Sequence, residues 1–432
     1  MQAPRGAHIV EQLLAKGVSI PNPYAVDIAE DVDVERISGD GVTLHQGTRL
    51  AGAKTAISAG CELGGEGPVT VVDCRLGPDV ELKGGYAAKA VFLARSNLGL
   101  GHHVREGCLL EEEAGGAHCV GLKQTILFPF VTLGSLINFC DCLMAGGRSR
   151  KDHSEVGSSY IHFNFTPSGD KTTPSLFGDV PRGVMLDQAP IFLGGQGGAV
   201  GPVQVAYGTV VGAGSVLRSD VPKPDQLVIV GPPPSMQAPF VGAEYRGLNR
   251  LLGKNFAYVA QLRALRAWYE HARAPFFAAQ PLGDLVYAGA LEMLASAQKE
   301  RLSRLRRLVA RVRPDDDERA ALAEAIEPMC AVFEAECAGA GAGAVAGAGT
   351  GSAAGAGRSA GEGLRGIAAQ PPAALASTLG EAARGGIEYV AAIQGLDRAL
   401  SAEGTAWLSG VVEESWTQVA AHYPPLQRLL RL

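Results

Sequence analysis

Residues able to move a proton or hold a charge are concentrated in one polar stretch of an otherwise apolar, glycine-rich region. In "GGRSRKDHSEVG", residues 146–157, His153 stands beside Arg148, Arg150 and Lys151, with Asp152 and Glu155 close enough in sequence to orient its ring. An imidazole steered by a carboxylate is the usual general base near neutral pH. The three cations suit a phosphate or a carboxylate, although such a run also serves as a plain solvated surface. A second base candidate is His162 in "SSYIHFNF", which could equally be a structural ring stacked between Tyr160 and Phe163. Asn164 in the same segment can orient a substrate by hydrogen bonding, or turn a corner in the left-handed backbone conformation that Asn tolerates. A base, a hydrogen-bond donor and a held nucleophile are what acyl transfer from a thioester to an amine requires.

Two other chemistries have weaker footing. Cys140 and Cys142 with His118 and His153 match no zinc-ligand spacing, so no metal is expected. The crowded His102, His103 and His118 leave a metal-dependent solenoid as a remote alternative. "GGQGG", residues 194–198, is no phosphate loop, because it lacks a strand-to-helix context and a following Lys-Ser/Thr.

These residues must be carried by some framework, and its signature is a period of six. Val205, Val211 and Leu217 are six apart, as are Ile57, Leu63 and Val69, and Leu98, Val104 and Leu110, with Gly, Asp and Asn between them. Very short strands with a corner every six residues close a triangular coil in three hexapeptides, each burying one aliphatic residue against its neighbours. The fold class is therefore a β-solenoid, a left-handed parallel β-helix, followed by an α-helical domain. A sandwich or barrel would need longer alternating strands. The expected divisions are an N-terminal cap over 1–25, the β-helix over 26–235, an α-helical region over 240–337, a flexible linker over 338–361 and C-terminal helices over 362–432.

Composition limits the partners. The chain has 432 residues and a formal charge of −6, which argues against nucleic acid. Residues 241–313 carry 13 Lys/Arg against 5 Asp/Glu. There, Leu302, Leu305 and Leu308 mark "KERLSRLRRLVARVR" as a helix packed on one side and solvated on the other. Between 338 and 361, 19 of 24 residues are Gly or Ala, a linker composition. No apolar run is long enough to span a membrane, no leader pattern opens the chain, and eight scattered cysteines suit a reducing compartment, so a cytoplasmic location is expected.

The segment "IFLGGQGGAVGPVQVAYGTVVGAGSVLRSDV", residues 191–221, resembles without gaps the last coils of the acetyltransferase half of the bifunctional enzyme family that makes UDP-N-acetylglucosamine. "VGSSYIHFNF" and "DKTTPSLFGDV" are similar to two further stretches of that family, and "SRKDH" to the segment bearing its base. The resemblance implies a trimeric, CoA-dependent acyltransferase of the hexapeptide-repeat class. It implies His153 as base, Asn164 and Lys171 on the substrate, and acetyl-CoA as co-substrate along Gly195, Gly212 and Ala213. The chain departs from the family in three ways. The Gly-rich, Arg-containing loop of a nucleotidyltransferase domain is not found, so uridyl transfer is not expected. His153 and Asn164 stand about two hexapeptides closer than in the family. Where the family holds its sugar phosphate, "LKQTILFPFVTLGSLINFCDCLMAGG" offers only Lys123 as a cation.

Two functions remain: acyl transfer to an amino sugar or sugar phosphate, and a non-catalytic solenoid that binds a sugar nucleotide or scaffolds a partner.

Overall fold

The computed structural model describes residues 5–163, 171–239, 247–313, 316–334 and 370–429. The hexapeptide period becomes a parallel β-helix with three faces. The first runs through Asp27–Ile28, Arg49–Ala51, Val69–Val72, Gly85–Ala88, His102–Val104 and onward to Val216–Leu217. The second takes Ala56–Ile57, Arg75–Leu76, Ala90–Phe92, Cys108–Leu110 and their successors. A separate ten-stranded sheet from Thr43–Leu44 to Leu227–Val228 makes the third. Val120–Leu127 and Ile137–Met144 each bend across a corner and belong to both of the first two faces.

Strict register stacks like on like. On the third face Leu44, Leu63, Leu82 and Leu98 lie one above another, and all are fully buried. The second face stacks Ile57, Leu76, Phe92, Leu110, Leu127, Met144, Phe177 and Val205 inward. Each coil thus buries its interior only against the coils above and below, as the period of six demands. The helix Ala7–Lys16 covers the first coil with Ile9, Val10 and Leu13.

The outward row of the second face is also apolar: Val91, Leu109, Ile126, Leu143 and Leu176 are all buried. They are buried because helices lie over them. The helix Gly283–Val309 crosses this face so closely that a Cβ on Gly289 would stand 2.8 Å from Arg75 Cδ and 3.0 Å from Val91. Arg75 donates to Glu292 of the same helix at 2.7 Å. Beneath it, Tyr269 donates to Glu111 at 2.6 Å, and Arg273 pairs with Glu111 and Glu112 while its guanidinium lies 3.8 Å from the Tyr389 ring centre. Burial pushes the Glu111 carboxyl up to about 7 against the pull of Arg273.

The other helices complete a second layer. Leu248–Trp268 and Arg398–His422 run together, tied by a hydrogen bond of 3.1 Å from Arg263 to Ser415. Leu302, Leu305 and Leu308 face a second core with Phe256, Leu322 and Met329. Asp397 caps the helix Arg398–His422 through the Leu400 N–H at 2.9 Å. The Gly/Ala-rich stretch 338–361 lies outside the described residues. Among the described residues, no helix is long and apolar enough to cross a membrane.

Candidate functional site

Two insertions between strands of the solenoid carry candidate residues. Between Met144 on the second face and Glu155 on the third, residues Gly147–Ser149 and Asp152–His153 form a small antiparallel hairpin. Between Phe163 on the first face and Ser175 on the second lies the segment that contains Lys171.

On the hairpin, His153 is half-buried, and its Nδ1 has no hydrogen-bond partner among the described residues. Asp152 does not orient it, because that carboxylate is paired with Arg148. No bond from Glu155 to the ring is seen among the described residues. Arg150 is turned back onto the solenoid: its Nη1 donates to Thr132 Oγ1 at 2.8 Å and to the Glu113 carbonyl at 2.9 Å. Lys151 is exposed. Among the described residues the basic run is therefore split into an ion-paired, a structural and a free cation, and does not converge on one anion.

His162 has a different setting. It takes an inward position on the first face, above Phe139 and below Ala199, where other coils place aliphatic residues. Its ring meets Phe139 and Phe177 edge-on rather than lying between Tyr160 and Phe163. Nε2 is 2.8 Å from Ser175 Oγ, and the Cys140 backbone partly opposes the effect of burial on the ring. Burial lowers its pKa to about 4, so it is neutral at physiological pH. Asn164 lies outside the described residues.

Lys171 borders a cleft of about 210 Å³ at the edge between the first and second faces, where the helical layer meets the solenoid. Arg105, Lys123, Asn138 and Thr173 line it from the solenoid, and Glu300, Arg301 and Arg304 from the helix Gly283–Val309. Five cations, Arg105, Lys123, Lys171, Arg301 and Arg304, face two carboxylates, Asp141 and Glu300, a formal excess of +3 in a chain of net charge −6. Arg301 is 2% exposed; its Nη2 meets Asp141 Oδ1 at 2.6 Å and its Nη1 donates to the Lys171 carbonyl at 3.3 Å. Burial raises the Asp141 carboxyl even so, and Arg301 opposes the rise. Lys123 pairs with Glu106 at 2.6 Å and Arg304 with Glu300 at 2.7 Å. The single cation expected from the sequence in this region is thus joined by Arg105 from the preceding coil and by two arginines from far downstream. Arg301 and Arg304 each sit one residue before a core leucine of their helix. That flanking position on the apolar stripe was the available signal.

The expected CoA-binding glycines lie on another edge, between the third and first faces. Gly157, Gly194 with Gly195, and Gly212 with Ala213 stack on successive coils. A Cβ on Gly157 would stand 2.4 Å from the Gly195 nitrogen, and one on Gly194 would stand 2.5 Å from the Ala213 nitrogen. Close coil stacking by itself requires glycine at 157 and 194. Gly195, Gly212 and Ala213 leave the rim of this edge partly open.

Within one chain the expected site residues therefore occupy three separate edges: His153 on one, Lys171 on another and the glycines on the third. The crowded histidines do not form a metal set. His102 points inward and His103 outward on the same strand, while His118 is 2.9 Å from Ser135 Oγ. Among the described residues no group of three or more His, Cys, Asp or Glu is placed to hold a metal.

No family model matches the chain. Among curated proteins it is similar to bifunctional protein GlmU of Thermotoga petrophila, 26% identical over 214 residues, or 49% of this chain and 42% of that protein. GlmU of Fervidobacterium nodosum is 28% identical over 215 residues, 50% of this chain and 42% of its own. GlmU of Clavibacter sepedonicus is 27% identical over 230 residues, 53% and 42%. The chain spans about two fifths of the length of the curated relatives it matches. Similarity on that scale, joined to a parallel β-solenoid, identifies the repeat region as a homologue of GlmU that fits its hexapeptide-repeat acetyltransferase half.

Proposed function

We propose that the protein is a CoA-dependent acyltransferase whose acceptor is an amino sugar carrying a phosphate. The cationic cleft at the seam is the observation that carries this reading: five cations meet in a net-negative chain. Lys171, Lys123 and Arg105 would hold the phosphate, and the amine would receive the acetyl group from acetyl-CoA.

The reaction asks for a base at the amine. His153 fits by chemistry, being half-buried with an unsatisfied Nδ1 among the described residues. Its position on a different edge from the cleft favours a homotrimer, in which the hairpin of one copy approaches the cleft of another and acetyl-CoA lies along Gly195, Gly212 and Ala213. His162 would support the cleft wall as a neutral ring, with Ser175 fixing its orientation. Asn164 and Lys151, the exposed cation of the hairpin, keep their expected contacts with the acceptor as part of the same proposal, and a cytoplasmic location suits these substrates.

A non-catalytic sugar-nucleotide binder is the second reading, favoured by the dispersal of the candidates over three edges. Incubation with acetyl-CoA and a panel of amino-sugar phosphates separates the two. The proposal expects CoA release with at least one acceptor, and a fall of about 10² to 10⁴ in rate for His153→Ala. No CoA release with any acceptor, and no CoA binding by calorimetry, would overturn it.

A further inference from the structure

Just outside the cleft, the first face carries an aromatic stack that ends in an open position. Tyr86 and His103 are register partners on adjacent coils, and their rings lie stacked with centroids 5.1 Å apart and planes 24° from parallel. The next partner in the same outward row is Gly121, followed by Asn138. His103 and Asn138 are exposed. The exposed ring of His103 therefore faces a coil that has no side chain, and Asn138 stands on the far side of the gap.

Coil stacking does not require glycine at 121. A Cβ there would meet the Ile137 carbonyl oxygen at 3.5 Å and Asn138 Oδ1 at 3.8 Å, both ordinary contacts, and its φ is not in the left-handed region. This separates it from Gly157 and Gly194, where the backbone of the next coil excludes any side chain. The missing side chain leaves a slot one coil deep. Neighbouring strands are about 4.8 Å apart, so a flat ring lying over Gly121 would continue the Tyr86–His103 stack at similar spacing.

Two residues further along the same strands are Arg105 and Lys123, about 6.6 Å away at the usual rise of a strand, and both line the cationic cleft. A planar slot that opens directly onto cations is the arrangement that recognises a nucleobase joined to phosphates, since aromatic rings stack on any base and Arg and Lys hold the anion. We propose that the Tyr86–His103 stack, the Gly121 slot and the Arg105–Lys123 pair form a binding site for a nucleoside diphosphate group. Such a group is present both in sugar nucleotides and in CoA, and the site stands whether or not acyl transfer occurs.

Calorimetry on the full chain with UDP, ADP, CoA and, as the base-free control, pyrophosphate tests it. The site predicts that at least one base-bearing ligand binds about tenfold or more tighter than pyrophosphate, as base stacking is worth. UDP binding weakened by Gly121→Val assigns the site to a nucleotide sugar, and CoA binding weakened by it to the nucleotide end of the acyl donor; CoA binding that the substitution leaves unchanged belongs to the Gly195–Ala213 edge and counts against the site. Gly121→Val fills the slot, and His103→Ala removes its floor. Each should lower the affinity for that ligand about tenfold, leave pyrophosphate binding unchanged and leave thermal unfolding within a degree or two. The proposal fails if all three base-bearing ligands bind no tighter than pyrophosphate, or if Gly121→Val binds them as the parent does.

Discussion

Replacing Arg301 by methionine probes the joint between solenoid and helices at the point where the cleft depends on it. The guanidinium is 2% exposed and its partner Asp141 is 16% exposed, so the pair is largely out of water. Methionine keeps most of the volume of the side chain but leaves the Asp141 carboxylate without its 2.6 Å partner and the Lys171 carbonyl without its donor. Breaking one side of a buried ion pair costs about 3–5 kcal/mol, and urea unfolding of the full chain followed by circular dichroism at pH 7.5 should show a loss of that size. Burial already raises Asp141, and without Arg301 the rise is larger. A carboxyl raised in the folded state favours folding below its unfolded pKa and loses that contribution as pH rises through the folded one. The deficit of the variant should accordingly shrink as pH is lowered toward 4.5. Adding Asp141→Asn should recover most of the loss at pH 7.5, because a neutral amide tolerates burial better than an unpaired charge. A deficit below about 1 kcal/mol, or one that grows on acidification, would refute the reasoning.

Further outcomes follow from the same packing. Gly194→Ala places a methyl 2.5 Å from a backbone nitrogen of the next coil and should cost about 1–3 kcal/mol, measured as a shift in the urea midpoint. Glu111, pushed up to about 7 from 4.5 by burial, should make the protein lose stability between about pH 5 and 7.5; Glu111→Gln should flatten that slope in thermal melts taken across the range. Leu109→Asp, on the outward row beneath the helices, should expose the helical layer to limited proteolysis while the coils retain their β signal by circular dichroism, since a carboxylate cannot be buried there unpaired.

The solenoid was legible because its physics is local and repeated. Ile57, Leu63 and Val69, six apart in sequence, fall on the second, third and first faces in turn and are all fully buried, and the glycines at 157 and 194 stand where adjacent coils touch. The helices were legible from stripes such as Leu302, Leu305 and Leu308. The cleft was not. Its cations come from residues as far apart as Arg105 and Arg304, and nothing in "LINFCDC" announces that a helix from beyond residue 283 will bring arginines against it. The hairpin "RSRKDH" showed the opposite failure. Three adjacent cations looked like one anion site, yet Arg148 is taken by Asp152 and Arg150 by the Thr132 hydroxyl and two carbonyls. His162 reads as a polar residue in sequence, but its register places it in the core, where burial keeps it neutral. Sequence adjacency carried the coils; the site depends on which coil edge the second layer covers.

The most direct test of the account is detection by mass spectrometry of N-acetylated product from acetyl-CoA and amino-sugar phosphates, comparing the parent chain with Lys123→Ala and Lys171→Ala. Acetylation by the parent, with the KM for the acceptor raised about tenfold or more in each variant and the KM for acetyl-CoA little changed, is the predicted result. Product formed equally by parent and variants, or from the unphosphorylated amino sugar as readily as from the phosphate, would contradict it.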